Sequence, residues 1–246
     1  MIDSLTQLTS PNFDVRDAAV PLRFVVLHYT GMKTLAESLA RLRDPAAAVS
    51  AHYLIDEQGG ILQLVAERDR AWHAGKSFWR GVTDLNSASI GIELQNPGHA
   101  FGYRPFPAAQ IAALQDLLRD IMARHDLPPE AVLAHADIAP DRKQDPGELF
   151  PWRDMAAAGF GLWPEPTAAD YAPCNANTAR ELLRAIGYAC PDTDTNAPAA
   201  LLAFQRRYGP AALTGAADME TVARLRALAR RMARDAPTAA RSEATD

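Results

Sequence analysis

The sequence predicts an α/β fold, a central mixed β-sheet flanked by helices, followed by a small C-terminal three-helix bundle. Three patterns carry this prediction. Short β-branched and aromatic runs alternate with amphipathic segments between residues 22 and 138. A Pro- and Gly-containing stretch without periodicity, "FGLWPEPTAADYAPC" (160–174), then interrupts the chain. Beyond it lie three segments that each carry a single apolar stripe.

The elements follow in order. "LRFVVLHY" (22–29) is a buried strand by its β-branched and aromatic content. "TLAESLARLRD" sets Leu35, Leu39 and Leu42 on one helical face, and Pro45 ends it. "AHYLIDEQGGILQLV" (51–65) reads as a hairpin around Asp56–Gly60. "SIGIELQN" (89–96) is a second strand. "PAAQIAALQDLLRDIMARHDL" (107–127) spaces Ile111, Leu114, Leu117, Leu118 and Ile121 as a helix packed on a sheet. "AVLAHADI" (131–138) is a last short strand. The C-terminal stripes are Leu182, Leu183 and Ile186, then Leu201, Leu202 and Phe204, then Val222, Leu225 and Leu228. This organisation divides the chain at 1–160, 161–174 and 175–235, with 236–246 a disordered tail.

Composition narrows the function. With 246 residues, 48% of them hydrophobic, the chain can bury one sizeable core and a satellite. A net charge of −5 offers no global basic field for nucleic acid. No stretch approaches the ~18 apolar residues of a membrane span. Cys174 and Cys190 flank a helix and read as free thiols, which fits a reducing compartment. The N-terminus lacks a basic segment followed by an apolar one, and no anchor cysteine lies near Met1, so a cytoplasmic location is expected. A mature form whose signal had been removed would instead be periplasmic or outer-membrane-associated.

Chemistry concentrates where strand polarity breaks. Alternation puts Phe24, Val26 and His28 on one face of their strand, with His28 at the exit. In "SIGIELQN", Glu93 shares a face with Gly91 and Gln95, a carboxylate among apolar neighbours. Burying it costs several kcal/mol unless it is paired, solvated in a cleft or near a cation. "HADIAPDRKQDPG" (135–147) adds His135, Lys143 and Asp145 in one irregular segment whose prolines limit its freedom. Two histidines at strand ends, carboxylates and a lysine suggest a metal site with a hydrolytic task. His28, His135 and Asp145 are the proposed zinc ligands, Glu93 the proton carrier and Lys143 the oxyanion stabiliser. Spacing alone is a weak basis, since no HExxH motif pairs the ligands on a helix.

Five stretches, "VVLHYT", "SAHYLIDEQG", "RAWHAGKS", "SIGIELQN" and "HADIAPDRKQDPGELFPW", occur in the order found in type 2 N-acetylmuramoyl-L-alanine amidases. That zinc family includes AmpD-like and AmiD-like enzymes and the peptidoglycan recognition proteins. The resemblance covers roughly residues 20–155. It implies zinc on His28, His135 and Asp145, with Glu93 and Lys143 as catalytic residues. The implied reaction is hydrolysis of the amide between the lactyl group of N-acetylmuramic acid and L-alanine of the stem peptide, and the implied partners are peptidoglycan fragments. The last three helices resemble a small peptidoglycan-binding domain through "LLRAIGY", "LLAFQRRYG" and "TGAADMETVARLRAL". The alternative for them is a bundle that merely packs on the catalytic domain.

His52 and His73 match motifs bordering the cleft and are read as substrate contacts or supports of the ligands. Trp72 and Trp79 are candidates to stack on a sugar ring, although aromatic residues more often belong to the core. Asp137 and Asp141 read as caps or turn residues, and His99 and His125 as ordinary surface histidines. The arginines between Arg224 and Arg234 suit a helix C-terminus and solubility. Two competing functions remain: a catalytically silent wall-binding protein, and a zinc peptidase cutting within the stem peptide. A serine hydrolase lacks its G-x-S-x-G elbow here.

Overall fold

The two longest strands, Phe24–Tyr29 (β3) and Ser89–Leu94 (β7), pair in parallel and form the centre of the sheet. The computed structural model describes residues 5–174, 176–190 and 197–235; the expected disordered tail lies outside them. Around β3 and β7 the sheet grows to six strands in the order β1-β5-β4-β7-β3-β8. Here β1 is Leu5–Gln7, β4 Tyr53–Ile55, β5 Ile61–Gln63 and β8 Val132–Ala134. The β4–β5 pair is antiparallel and is the hairpin expected at 51–65, while β3 pairs with β7 and β8 in parallel, so the sheet is mixed. Phe13–Val15 (β2) and Asp69–Ala71 (β6) make a separate antiparallel ribbon.

Helices flank this sheet. Leu35–Arg43 (α1) starts with a capping box between Thr34 and Glu37. It packs Leu42 against Leu54 and Leu64 in a small cluster of its own. Tyr53 and Ile55, the alternate residues of β4, instead join the main core with Leu114, Leu117, Leu118 and Ile121 of Ala108–His125 (α4). The short helices Leu85–Ala88 (α2), Gly98–Phe101 (α3), His135–Ile138 (α5) and Trp152–Ala157 (α6) occupy connections. Three amphipathic helices close the chain, Ala176–Ile186 (α7), Ala197–Tyr208 (α8) and Met219–Asp235 (α9). Their buried Leu183, Ile186, Leu201, Phe204, Val222, Leu225 and Leu228 continue the main core. The connecting stretch is fastened as well: Asp170 accepts hydrogen bonds from Arg230, and Trp163 lies against Tyr208. Among the described residues no helix is long and apolar enough to cross a membrane.

The fold decides between the two readings of Trp79 and changes the expectation for His125. Trp79 is 4% exposed and meets Tyr188 edge-on at 4.9 Å, so it is a core residue with no face for a sugar. His125 is not an idle surface histidine, because its Nε2 lies 2.7 Å from Glu67. Glu67 also receives the Tyr53 hydroxyl at 2.7 Å and Arg124 Nη2 at 2.8 Å. Burial works to raise the Glu67 pKa, but the hydrogen bonds from Arg124, His125 and Tyr53 outweigh it and hold the carboxyl at about 2. Its contribution to stability is therefore present above its ordinary value of 4.5 and is lost as pH falls through about 2. Urea midpoints recorded from pH 6 downwards should fall less steeply in Glu67→Gln than in the wild type; parallel curves would contradict this assignment.

Candidate active site

The register of the central strands builds the site. His28 on β3 lies directly opposite Glu93 on β7, so the two side chains leave the same face near the C-terminal ends of parallel strands. That edge is where open α/β sheets bind ligands. β8 ends at Ala134 and His135 opens α5 immediately after it. Asp145 returns from the following loop, and its carbonyl accepts the Ala136 N–H at 2.9 Å, tying the two segments together.

His28, His135 and Asp145 converge. His28 Nδ1 lies 2.8 Å from His135 Nδ1 and 3.1 Å from Asp145 Oδ2, and His135 Nδ1 lies 2.9 Å from the same oxygen. All three residues are buried, at 1%, 3% and 6% exposure. Among the described residues this is the group of histidine and carboxylate ligands able to hold a metal ion. The far nitrogens explain which atoms face inward. His28 Nε2 meets His73 Nδ1 at 3.0 Å, and His135 Nε2 meets the Ala74 carbonyl at 3.2 Å. His135 Nε2–H donates to that carbonyl, and with both Nε2 atoms engaged the two Nδ1 atoms are the ones directed at the shared centre.

The charges fit a cation. Burial, then the neighbouring His135, lowers the His28 pKa to about 4, so the ring is neutral at pH 7. Burial opposes ionisation of Asp145, but His135 and His28 outweigh it and hold the carboxyl well below the usual range. Two imidazole Nδ1 atoms and one carboxylate oxygen converge within 3.1 Å of one another, and this N,N,O donor set is one that zinc accepts.

Glu93 stands beside this group and has no hydrogen-bond partner among the described residues. Its Oε2 is enclosed and makes no hydrogen bond. Burial first, and Asp145 next, raise its pKa from 4.5 to about 8, with Lys143 pulling the other way. A carboxyl that is unpaired, close to neutrality and in a cleft is suited to moving protons. The cleft holds about 340 Å³ and is lined by Tyr29, Trp72, His73, Glu93 and Lys143 as well as the three convergent ligands. A larger groove of about 700 Å³ beside β1 and β2 is lined by Phe13, Tyr53, Glu67 and Arg124 and contains none of these groups.

The structure separates the two supporting histidines. His73 borders the cleft and underpins His28, and its ring occupies the space that a Cβ on Gly91 would need, 2.4 Å away. His52 is fully buried; its Nδ1 accepts the Gly91 N–H at 2.9 Å and its Nε2 faces the Asp69 carbonyl at 3.1 Å. Its placement leaves it no free nitrogen for a substrate, and its contribution is to hold β7. Gly91→Ala is expected to cost about 1–3 kcal/mol through overpacking. The same variant should hold metal less tightly, because a displaced His73 releases His28; calorimetric unfolding with and without added zinc measures both effects.

His99 is a residue that sequence reasoning missed. It stacks on Tyr103 with ring centroids 4.2 Å apart. Its Nδ1 meets the Tyr29 hydroxyl at 2.9 Å and its Nε2 meets Glu148 at 3.1 Å. It thereby joins the wall beside His28 to the loop beyond Asp145. Proximity of "NPGHA" to a strand end was the available signal, and it does not name the partners.

A site built in this way defines a hydrolase with a place for a metal ion at the edge of its sheet. Residues 18–148 match the family described as N-acetylmuramoyl-L-alanine amidase, and the chain belongs to that family. AmiD of Escherichia coli, an N-acetylmuramoyl-L-alanine amidase, is 42% identical over 241 residues, spanning 89% of this chain and 86% of AmiD. AmpD of Haemophilus influenzae, a 1,6-anhydro-N-acetylmuramyl-L-alanine amidase, is 33% identical over 62% of this chain and 90% of its own. The solved complex of E. coli AmiD with anhydro-N-acetylmuramic acid-L-Ala-D-γ-Glu-L-Lys matches with a TM-score of 0.79 at 41% identity, covering 87% of this chain and 91% of that one. AmpDh3 of Pseudomonas aeruginosa with an anhydromuramic pentapeptide matches at 0.77 and 36% identity, covering 92% and 96%.

Proposed function

We propose that this N-acetylmuramoyl-L-alanine amidase cleaves the bond between the lactyl group of 1,6-anhydro-N-acetylmuramic acid and L-alanine in soluble muropeptides. His28 Nδ1, His135 Nδ1 and Asp145 would hold zinc. When bound, the ion supplies an acidified water and polarises the scissile carbonyl. The observation that carries the reading is the unpartnered Glu93 carboxyl beside the convergent triad. Glu93 takes the proton of the attacking water and returns it to the leaving nitrogen of L-alanine. Lys143, on the cleft wall, places its ammonium toward the oxyanion of the tetrahedral intermediate. Trp72 and Tyr29 offer aromatic surface to the substrate along the same wall.

The preference for an anhydro sugar rests on the ligands of the AmiD and AmpDh3 complexes. A catalytic unit at 1–160, a connecting segment at 161–174 and a peptidoglycan-binding role for the helices at 175–235 belong to the same reading. A cytoplasmic location is supported by the unpaired thiols of Cys174 and Cys190. The test is mass spectrometry of a muropeptide mixture containing both reducing and 1,6-anhydro forms after incubation with the protein. Release of intact stem peptide with a free amino-terminal alanine, faster from the anhydro form, is expected. Cuts inside the peptide would make the chain a peptidase, and no cleavage by zinc-loaded protein would make it a binding protein.

A further inference from the structure

His135 sits on a helix of only four residues, too short to fix its own orientation. Its neighbour Asp137 lies two residues further on, about 200° around the helix, and faces the C-terminal helices instead of the cleft. Asp137 is fully buried. Its Oδ2 accepts the Ala134 N–H at 2.9 Å, which is the capping role expected of it. The same carboxylate does more. Oδ1 accepts the Tyr188 hydroxyl at 2.6 Å, and Oδ2 accepts Arg207 Nη1.

Arg207 belongs to α8 and is 3% exposed. Its second nitrogen donates to the Val132 carbonyl at 2.9 Å, and its guanidinium lies over the Trp152 ring at 4.0 Å. One planar cation therefore grips both the last strand and the turn that follows it, and His135 stands at that junction. The adjacent Arg206 reaches the other ligand-bearing segment, donating to Gln144 at 3.4 Å and approaching Glu148 at 3.8 Å. Asp145 lies between those two residues.

A buried ion pair is weak evidence for stability, because desolvation offsets most of its attraction. A device that fixes position accounts better for a buried ion pair at this place, since a catalytic group misplaced by ~1 Å can cost ~100-fold in rate. We propose that the C-terminal helices are a working part of the metal centre: Arg207 and Tyr188 are positioning residues that orient His135 through Asp137. The proposal rests on the reading of His135 as a zinc ligand.

The experiment uses the full chain and five variants, His135→Ala among them. Tyr188→Phe removes one hydrogen bond and keeps the packing; Arg207→Met removes the charge and Arg207→Lys restores it without the planar grip. Arg230→Met is the control, because it breaks a bundle ion pair with Asp170 that does not touch the turn. For each, the thermal midpoint, the zinc affinity by competition with a chromophoric chelator, the visible spectrum of the cobalt-substituted protein, and kcat and KM are measured. Tyr188→Phe and Arg207→Met should bind zinc on the order of 10-fold more weakly and shift the cobalt bands. They should also lower kcat with KM held, while Arg207→Lys recovers part of each loss and Arg230→Met changes the thermal midpoint alone. Wild-type zinc affinity and cobalt bands in both variants would overturn the proposal; if Arg207→Met does not fold, Tyr188→Phe decides. Zinc binding by His135→Ala equal to wild type would instead overturn the reading beneath it.

Discussion

Glu93→Gln is expected to lower kcat by about 10²–10⁴-fold while the chain keeps its fold and its zinc. Glutamine preserves the shape of the side chain but cannot take up and return a proton. A second consequence has the opposite sign. Burial first, then Asp145, raises the Glu93 carboxyl to about 8, against 4.5 in the unfolded chain. In metal-free protein the folded state therefore retains a proton that the unfolded state has released, and stability declines as pH rises from 4.5 to about 8. Glutamine removes that penalty. Metal-free Glu93→Gln should melt above the wild type at pH 8 and match it at pH 4. A cation held by the triad favours the ionised carboxylate, so zinc should narrow the difference. A variant that retained wild-type kcat, or melted lower at pH 8, would remove Glu93 from its assigned role.

Lys143→Met is the second large effect, a loss of about 10²–10³-fold in kcat, the range for deletion of one oxyanion donor. Its signature is in the pH profile. The nearby Lys143 charge favours ionised Glu93. Activity that requires the carboxylate falls on the acid side of the Glu93 pKa, and loss of the lysine moves that limb to higher pH. Rate profiles at saturating and at low substrate separate this shift from a change in binding. An unmoved acid limb with a raised KM would make Lys143 a substrate-binding residue only.

How much of this was legible depended on whether the signal was local. β3 and β7 were visible because Val25, Val26, Ile90 and Ile92 form β-branched runs, and α4 because Leu114, Leu117, Leu118 and Ile121 recur with helical spacing. β1 and β2 were not, since Leu5–Gln7 and Phe13–Val15 are exposed three-residue strands defined only by the partners they meet. The triad was visible as residue types at strand ends and through its motifs, but not in the choice of Nδ1, which depends on His73 and Ala74. Trp79 could not be distinguished from a sugar-stacking tryptophan before Tyr188 was seen against it. Asp137 carried a capping signal that was correct and incomplete, because Arg207 lies 70 residues away. His99 is similar: its partners, Tyr29 and Glu148, are 70 and 49 residues distant. Long-range polar pairs leave no periodicity, and three of the most informative contacts here are of that kind.

The central claim is that the triad of His28, His135 and Asp145 holds the zinc with which Glu93 works. Its most direct measurement follows one 1,6-anhydro-muropeptide by mass spectrometry together with the zinc content of the protein. Both are recorded as purified, after a chelator, and after zinc is returned, with Asp145→Ala alongside. The account predicts one zinc per wild-type chain and free stem peptide, both lost with the chelator and both restored by zinc, and neither restored in Asp145→Ala. Undiminished hydrolysis by metal-free protein, or zinc retained in full by Asp145→Ala, would contradict it.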